Sequence, residues 1–327
     1  MKARISTLTI LLLLAILTLS GVKEFAAWPQ VLELWQAQAT PASLASHPHL
    51  FRYMVAYPGL LLEEALPGLG FSLYCCVFMV LNASVWSSIV RKTQFASPSY
   101  LVWGVFFLVH MFMNGRGVIA WSAWLLCVSL CIDLSRAAVP VKWSMIRGGV
   151  ACFLGAVSTG VFVIVLFSIV VFLFQRWKAG GVRLRSIKSL LLLLMLIPCG
   201  YVFGSYFFVA VEKNLDYYGG GMEGLFHMLG HGMGKIFLSD DGVIIALVLG
   251  LPVGSIAALV LFFAPPIRPL RKLLIISIAG GLFGFTVLTL AIPLILCETD
   301  KALRRTFRFL GIGQPSVSRE QSIRTQD

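Results

Sequence analysis

The chain has 327 residues, of which 58% are hydrophobic and only 12% are charged, and its mean hydropathy is +0.90. A soluble domain carries about 25% charged residues, so this composition excludes the two soluble domains for which the length would suffice. The apolar residues form solid blocks of about twenty, the length at which a helix crosses the hydrocarbon core of a bilayer. The sequence therefore predicts an all-α, polytopic helical membrane protein.

The net charge of +12 would indicate a nucleic-acid partner in a soluble protein. In a membrane protein, Lys and Arg are instead retained on the cytoplasmic side, so we expect no nucleic-acid partner. The seven cysteines lie within or at the edge of apolar blocks, and none has the spacing of a zinc site. We therefore expect neither a metal nor a cofactor.

The first apolar block, near 6–22, is interpreted either as a retained anchor or as a signal peptide. Further blocks lie near 69–90, 99–113, 117–134, 190–211, 242–264 and 273–297. The interval 139–175 is read either as one long helix or as two spans with a break near Ser158, Thr159 and Gly160.

The positions of the cations decide between these two readings. With the break, the chain has about nine spans (eight to ten), and all the basic loops face inwards except the tail with Lys301, Arg304, Arg305 and Arg308. Without the break, the tail faces inwards, but the basic loops 176–188 and 268–272 face outwards. Because the second arrangement misplaces more cations, the sequence favours the break.

We therefore predict one membrane domain over 1–310, followed by a short polar tail over 311–327. Its long outer loops are 23–68 and 212–241. All five histidines lie on or near this outer side, at positions 47, 49, 110, 227 and 231. Most of the carboxylates lie there as well. We therefore expect the functional site to lie at the outer face.

The stretch from His110 to Gly117 lies between two apolar blocks and contains Asn114 and Arg116. An arginine at a membrane boundary is costly unless it is bound, and its planar fork of donors suits phosphate. The neighbouring glycines allow close approach, and the start of the following helix favours an anion. The alternative is a snorkelling interfacial arginine in an ordinary turn.

A glycine-rich stretch over 222–242 contains His227 and His231, four residues apart and hence on one face of any helical turn. One reading is a general base or a hydrogen-bond donor to a sugar or phosphate. A metal site and a plain loop with solvated histidines are the alternatives.

The first outer loop carries Arg52, Tyr53 and Tyr57 ahead of Glu63 and Glu64, a pattern typical of a helix in the plane of the interface. Neighbouring carboxylates close to a bilayer can include a base with a raised pKa. The alternative is that both carboxylates belong to the solvated face of an amphipathic helix.

The order of these pieces resembles the polytopic bacterial O-antigen and exopolysaccharide polymerases of the Wzy type, especially the compact EpsG-like branch, which are GT-C-like. Four segments carry the resemblance, namely 53–78, 106–126 (FFLVHMFMNGRGVIAWSAWLL), 152–174 and 231–252. This chain has Val157 where the EpsG-like pattern has a histidine, and Gly117 where it has glutamine.

The resemblance implies a glycosyltransferase of the bacterial inner membrane that polymerises polyprenyl-diphosphate-linked oligosaccharides at the periplasmic face. A chain-length regulator protein is an implied partner. Arg116 would bind the diphosphate, and His231 would be the base. Further candidate bases are His227, Glu63 and Glu64, and further candidate binding residues are Asn114, His110, Arg52, Tyr57, Lys213 and Lys235.

Three other classes compete with this reading. An O-antigen ligase or another lipid-phosphate transferase would use the same Arg and His chemistry. A transporter or flippase of lipid-linked glycans would need ionisable residues near the bilayer midplane, whereas Asp133 is predicted at a cytoplasmic helix end. A scaffold would leave Arg116 without a role.

Overall fold

The computed structural model describes residues 24–38, 49–94, 97–136, 141–178, 267–280 and 289–309, with scattered positions between 201 and 224. The elements named in these ranges are helices. They are α1 (Pro29–Gln36), α2 (Leu50–Ala65), α3 (Gly70–Gln94), α4 (Tyr100–Phe112), α5 (Gly115–Ser135), α6 (Val141–Gly155), α7 (Thr159–Lys178), α8 (Arg268–Gly280) and α9 (Ile292–Phe309), the last preceded by a 3-10 turn (Thr289–Ala291). The predicted all-α class is thus confirmed for the described ranges.

Within the ranges that the structure describes, two helices, α3 and α5, are long and apolar enough to cross a membrane. At 1.5 Å per residue they extend about 37 Å and about 31 Å, against a hydrocarbon core of about 30 Å. The apolar helices Tyr100–Phe112 and Thr159–Gln175 are shorter. The predicted blocks near 6–22, 190–211 and 242–264 lie outside the ranges that the structure describes in full, and the number of spans stays a prediction.

Helix α5 is the centre of the bundle. It packs against α3, α6 and α7, and 89% of its most apolar 18-residue segment is buried, compared with 39% for α3. The tryptophans Trp121 and Trp124 and the cysteines Cys127 and Cys131 are all fully buried along it. Helix α5 is therefore the most buried of the helices that could cross a membrane in the described ranges.

The predicted break within 139–175 is confirmed as a break between two helices. Helix α6 ends at Gly155 and α7 begins at Thr159. The helices form an antiparallel hairpin, because a Cβ on Gly155 would lie 3.4 Å from the Cα of Phe162, and one on Gly148 would lie 3.7 Å from Ile169.

The two ends of the bundle differ in how their charged side chains are paired. We call the end at the start of α5 the Arg116 end. We call the opposite end the Asp133 end, where the Asp133 carboxylate pairs with Lys92 at 2.7 Å and with Arg147 at 2.6 Å. The Asp133 carboxylate therefore joins α3, α5 and α6.

The C-terminal helix α9 runs along α3 towards the Asp133 end. The indole of Trp86 donates to the carbonyl of Pro293 at 2.9 Å, and the backbone amide of Ser99 donates to Asp300 at 2.8 Å. The guanidinium of Arg304 pairs with Asp300 at 2.8 Å and donates to the carbonyl of Ser97. These bonds fix α9 to the α3–α4 connection.

This placement differs from the nine-span arrangement, which puts Lys301, Arg304 and Arg305 opposite the other basic loops. The predicted block near 273–297 contains the end of α8 at Gly280 and a separate helix, α9, which starts at Ile292. Because α9 points back to the Asp133 end, its cations lie with Lys92.

Candidate functional site

Arg116 lies in the first turn of α5, which the sequence starts with a strong cap. The side chain of Asn114 accepts a hydrogen bond from the amide of Gly117 at 2.8 Å, as an N-cap residue does. Gly115 lies so close to α3 that a Cβ there would be 2.9 Å from both Phe71 and Cys75. The cap and the close approach together fix the backbone that carries Arg116.

The guanidinium of Arg116 lacks an internal anion in the described part of the chain. Its Nε atom is buried and has no hydrogen-bond partner there, and the ion pairs found there involve other cations. A cation in the first turn of a helix is also opposed by the helix dipole. The contacts of Arg116 within the described fold therefore do not compensate for its buried charge, whereas a bound anion would.

Arg52 is the second cation at this end. It lies in the first turn of α2 and is only 7% exposed. Its Nη2 donates to the hydroxyl of Thr159 at 2.9 Å, and its Nη1 is 3.5 Å from Nδ1 of His49. Phe71 of α3 lies against Gly59 of α2 and against Gly115 of α5, so Arg52 and Arg116 lie at the same end of the bundle, where their like charges repel each other. Residues far apart in sequence thus form one electropositive site.

Three helices, α2, α5 and α7, begin at this site, at Leu50, Gly115 and Thr159. Helix N-termini carry partial positive charge and attract anions. At the Asp133 end, by contrast, Lys92 and Arg147 share one carboxylate. The Arg116 end is therefore the part of the described bundle best suited to an anionic ligand.

Two of the predicted binding residues, Asn114 and Tyr57, contact the elements that carry the arginines. The side chain of Asn114 caps α5, as described above. The ring of Tyr57 packs against Trp35 and Tyr53, with centroid distances of 5.7 and 5.6 Å. Both belong to the elements that carry the arginines, so the structure places them beside the site as supports of its backbone.

The ring of His110 is buried, with 2% exposure, between α3 and α5. Its Nδ1 lies 2.8 Å from the carbonyl of Phe106, and its Nε2 lies 3.1 Å from the amide nitrogen of Asn82. Asn82 in turn accepts from the hydroxyl of Ser122 at 2.7 Å. These bonds suit a neutral imidazole that donates from Nδ1 and accepts at Nε2. His110 therefore lies within a polar network in the core.

The two carboxylates predicted as candidate bases have different surroundings. The two carboxylate oxygens of Glu63 accept hydrogen bonds from the backbone amides of Gly68 at 2.6 Å and of Phe71 at 2.8 Å. Glu63 therefore caps the start of α3. Glu64 is exposed at the end of α2. A catalytic role for Glu63 would have to coexist with its role as a cap.

The predicted residues Lys213, His227, His231 and Lys235 lie outside the described residues. Within the described ranges, no three His, Cys, Asp or Glu side chains cluster as a metal site requires. The sequence did not predict His49 or Thr159 as site residues, although both contact Arg52. Thr159 had a local signal only as part of the helix break.

Comparisons with protein-family models, with curated proteins and with solved structures find no match for this chain.

Proposed function

We propose that this chain is a multi-pass inner-membrane protein that binds a lipid-linked diphosphate at its Arg116 end. The observation that carries the proposal is the buried Nε of Arg116, which lacks a described partner and lies beside a second guanidinium, that of Arg52. Guanidinium groups bind phosphate through paired, charge-assisted hydrogen bonds. A diphosphate has enough negative charge to offset the repulsion between two arginines.

The reaction proposed is glycosyl transfer, which polymerises polyprenyl-diphosphate-linked oligosaccharide units at the periplasmic face. The acceptor hydroxyl forms a bond to the anomeric carbon of the donor glycan as the bond from that carbon to the diphosphate oxygen breaks. The electron pair leaves with the diphosphate, and the hydroxyl proton passes to a base, for which His231 is our first candidate. Arg116 and Arg52 stabilise the charge that develops on the leaving group.

The primary test replaces Arg116 in cells that depend on this chain for polymer. Arg116→Ala should lower polymer formation by about a hundredfold or more, as expected for the loss of a main transition-state donor. Arg116→Lys should retain part of the activity, because it keeps the charge and loses the fork. The measurement is the ladder of polymer lengths on a gel, at matched protein level in the membrane.

Arg91→Ala is the matched control, since Arg91 is an exposed arginine at the far end of α3. It should leave the ladder unchanged. A normal ladder from Arg116→Ala would contradict the proposed role. A single added glycan in the wild type, in place of a ladder, would indicate a ligase, and movement of intact glycolipid without bond formation would indicate a transporter.

A further inference from the structure

Thr159 connects the helix hairpin α6–α7 to the outer-loop helix α2. It is the first residue of α7, and its hydroxyl oxygen accepts from Nη2 of Arg52 at 2.9 Å. The two residues are 107 positions apart in the chain. This hydrogen bond therefore joins two separate elements at the Arg116 end.

The bond opposes a specific electrostatic tendency. Arg52 and Arg116 carry like charges at the same end of the bundle, and an arginine side chain has about 2 kcal/mol of rotamer entropy that favours movement away. A hydrogen bond from a charged donor to a fixed hydroxyl is stronger than a neutral one. The hydrogen bond to Thr159 thus restrains the Arg52 guanidinium at the start of α7.

Another threonine of the bundle shows the contrast. The hydroxyl of Thr93 donates to the carbonyls of Ile89 and Val90 in its own helix, at 3.0 and 3.1 Å, which is the usual arrangement inside a helix. The hydroxyl of Thr159 instead accepts from a charged side chain of another helix. The same residue type thus has two different roles at the two ends of the bundle.

We propose that Thr159 is a positioning residue that holds Arg52 beside Arg116, so that both guanidinium groups bind one diphosphate. This inference rests on the proposed function and adds the start of α7 to the site. A ligand that meets a fixed pair of arginines does not have to order Arg52 on binding, and this preorganisation raises affinity. Thr159 itself takes no part in bond making.

The test measures the binding of inorganic pyrophosphate to the purified full chain by calorimetry. Thr159→Val, which removes the hydroxyl at constant shape, should weaken binding about tenfold, and Thr159→Ser should restore it. Thr93→Val is the control and should bind as the wild type does. In polymerisation assays, Thr159→Val should raise KM for the lipid-linked donor more than it lowers kcat.

A double-mutant cycle separates positioning from a general structural role. If Thr159 acts through Arg52, the effects of Thr159→Val and Arg52→Lys on pyrophosphate binding should not add. Additive effects, wild-type binding by Thr159→Val, or no rescue by Thr159→Ser would overturn the inference. If valine disturbs the packing of α7, the smaller substitution Thr159→Ala provides the same comparison.

The same assay distinguishes the inference from the proposal on which it rests. If Arg116→Ala loses pyrophosphate binding while Thr159→Val retains it, the positioning role is wrong and the diphosphate site stands. If Arg116→Ala also binds as the wild type does, both the site and the positioning role are wrong.

Discussion

Gly115 shows how one residue sets the position of the candidate anion site. It begins α5 and lies against α3, where a Cβ would come within 2.9 Å of Phe71 and of Cys75. These two neighbours are 1% and 0% exposed, so neither can move into solvent to make room. The backbone before Arg116 can therefore approach α3 only because residue 115 has no side chain.

We expect Gly115→Ala to destabilise the protein by about 1 to 3 kcal/mol, the usual cost of adding a carbon to a packed contact. Gly117→Ala is the matched control, because its Cβ would come no closer than 3.4 Å to Asn114. It should be neutral or slightly stabilising, since alanine has the higher helix propensity. The measurement is thermal unfolding in detergent, and an equal loss for both variants would exclude the packing explanation.

Two buried polar groups on α5 join this helix to its neighbours. Near its start, Ser122 belongs to the hydrogen-bonded network of Asn82 and His110, which links α3, α4 and α5. Near its end, Asp133 pairs with Lys92 and Arg147 and links α3, α5 and α6. Directed bonds of this kind fix the rotation of a helix better than apolar packing does, because an unpaired buried polar group is costly.

Removal of the Asp133 charge tests this role at the level of the helix bundle. Asp133→Asn leaves Lys92 and Arg147 close together without their counter-ion, and the loss of one buried partner costs about 3 to 5 kcal/mol. Since the two cations are 30% and 27% exposed, we expect the lower end of that range. Thermal unfolding measures it, with Glu33→Gln as the control at an exposed carboxylate of α1. Equal stability of both variants would argue against a structural ion cluster.

At the scale of the molecule, local patterns in the sequence predicted several of the described helices. The block near 117–134 is α5, and the break predicted near Ser158, Thr159 and Gly160 lies between the end of α6 at Gly155 and the start of α7 at Thr159. The contact of Arg52 with Thr159 could not be predicted, because it joins residues 107 apart. The direction of α9 was missed for a similar reason, since its bonds to Trp86 and Ser99 are long-range.

The structure changes which cations are expected to share a side of the membrane. Lys92, Arg147 and Arg304 all lie at the Asp133 end, which the positive-inside rule assigns to the cytoplasm. The site of Arg52 and Arg116 lies at the opposite end, where the rule does not favour cations. The proposed periplasmic site requires this placement of the two ends on opposite sides of the membrane. The same placement predicts that α9 ends on the side of Lys92.

We expect Arg91→Cys and Arg305→Cys to react alike with a membrane-impermeant thiol reagent, and Glu64→Cys to react from the opposite side. All three positions are exposed in the structure. Position 91 lies in the last turn of α3, and position 305 is one residue beyond Arg304, which is bonded to the α3–α4 connection. Glu64, by contrast, is next to Glu63, which caps the start of α3. In intact cells with a permeable outer membrane, Glu64→Cys should be labelled at once, and the other two only after lysis.

The wild type, which keeps its native cysteines, gives the background. Labelling of Arg305→Cys together with Glu64→Cys would instead support the nine-span arrangement with an outer tail, because α9 would then end on the side of Arg116.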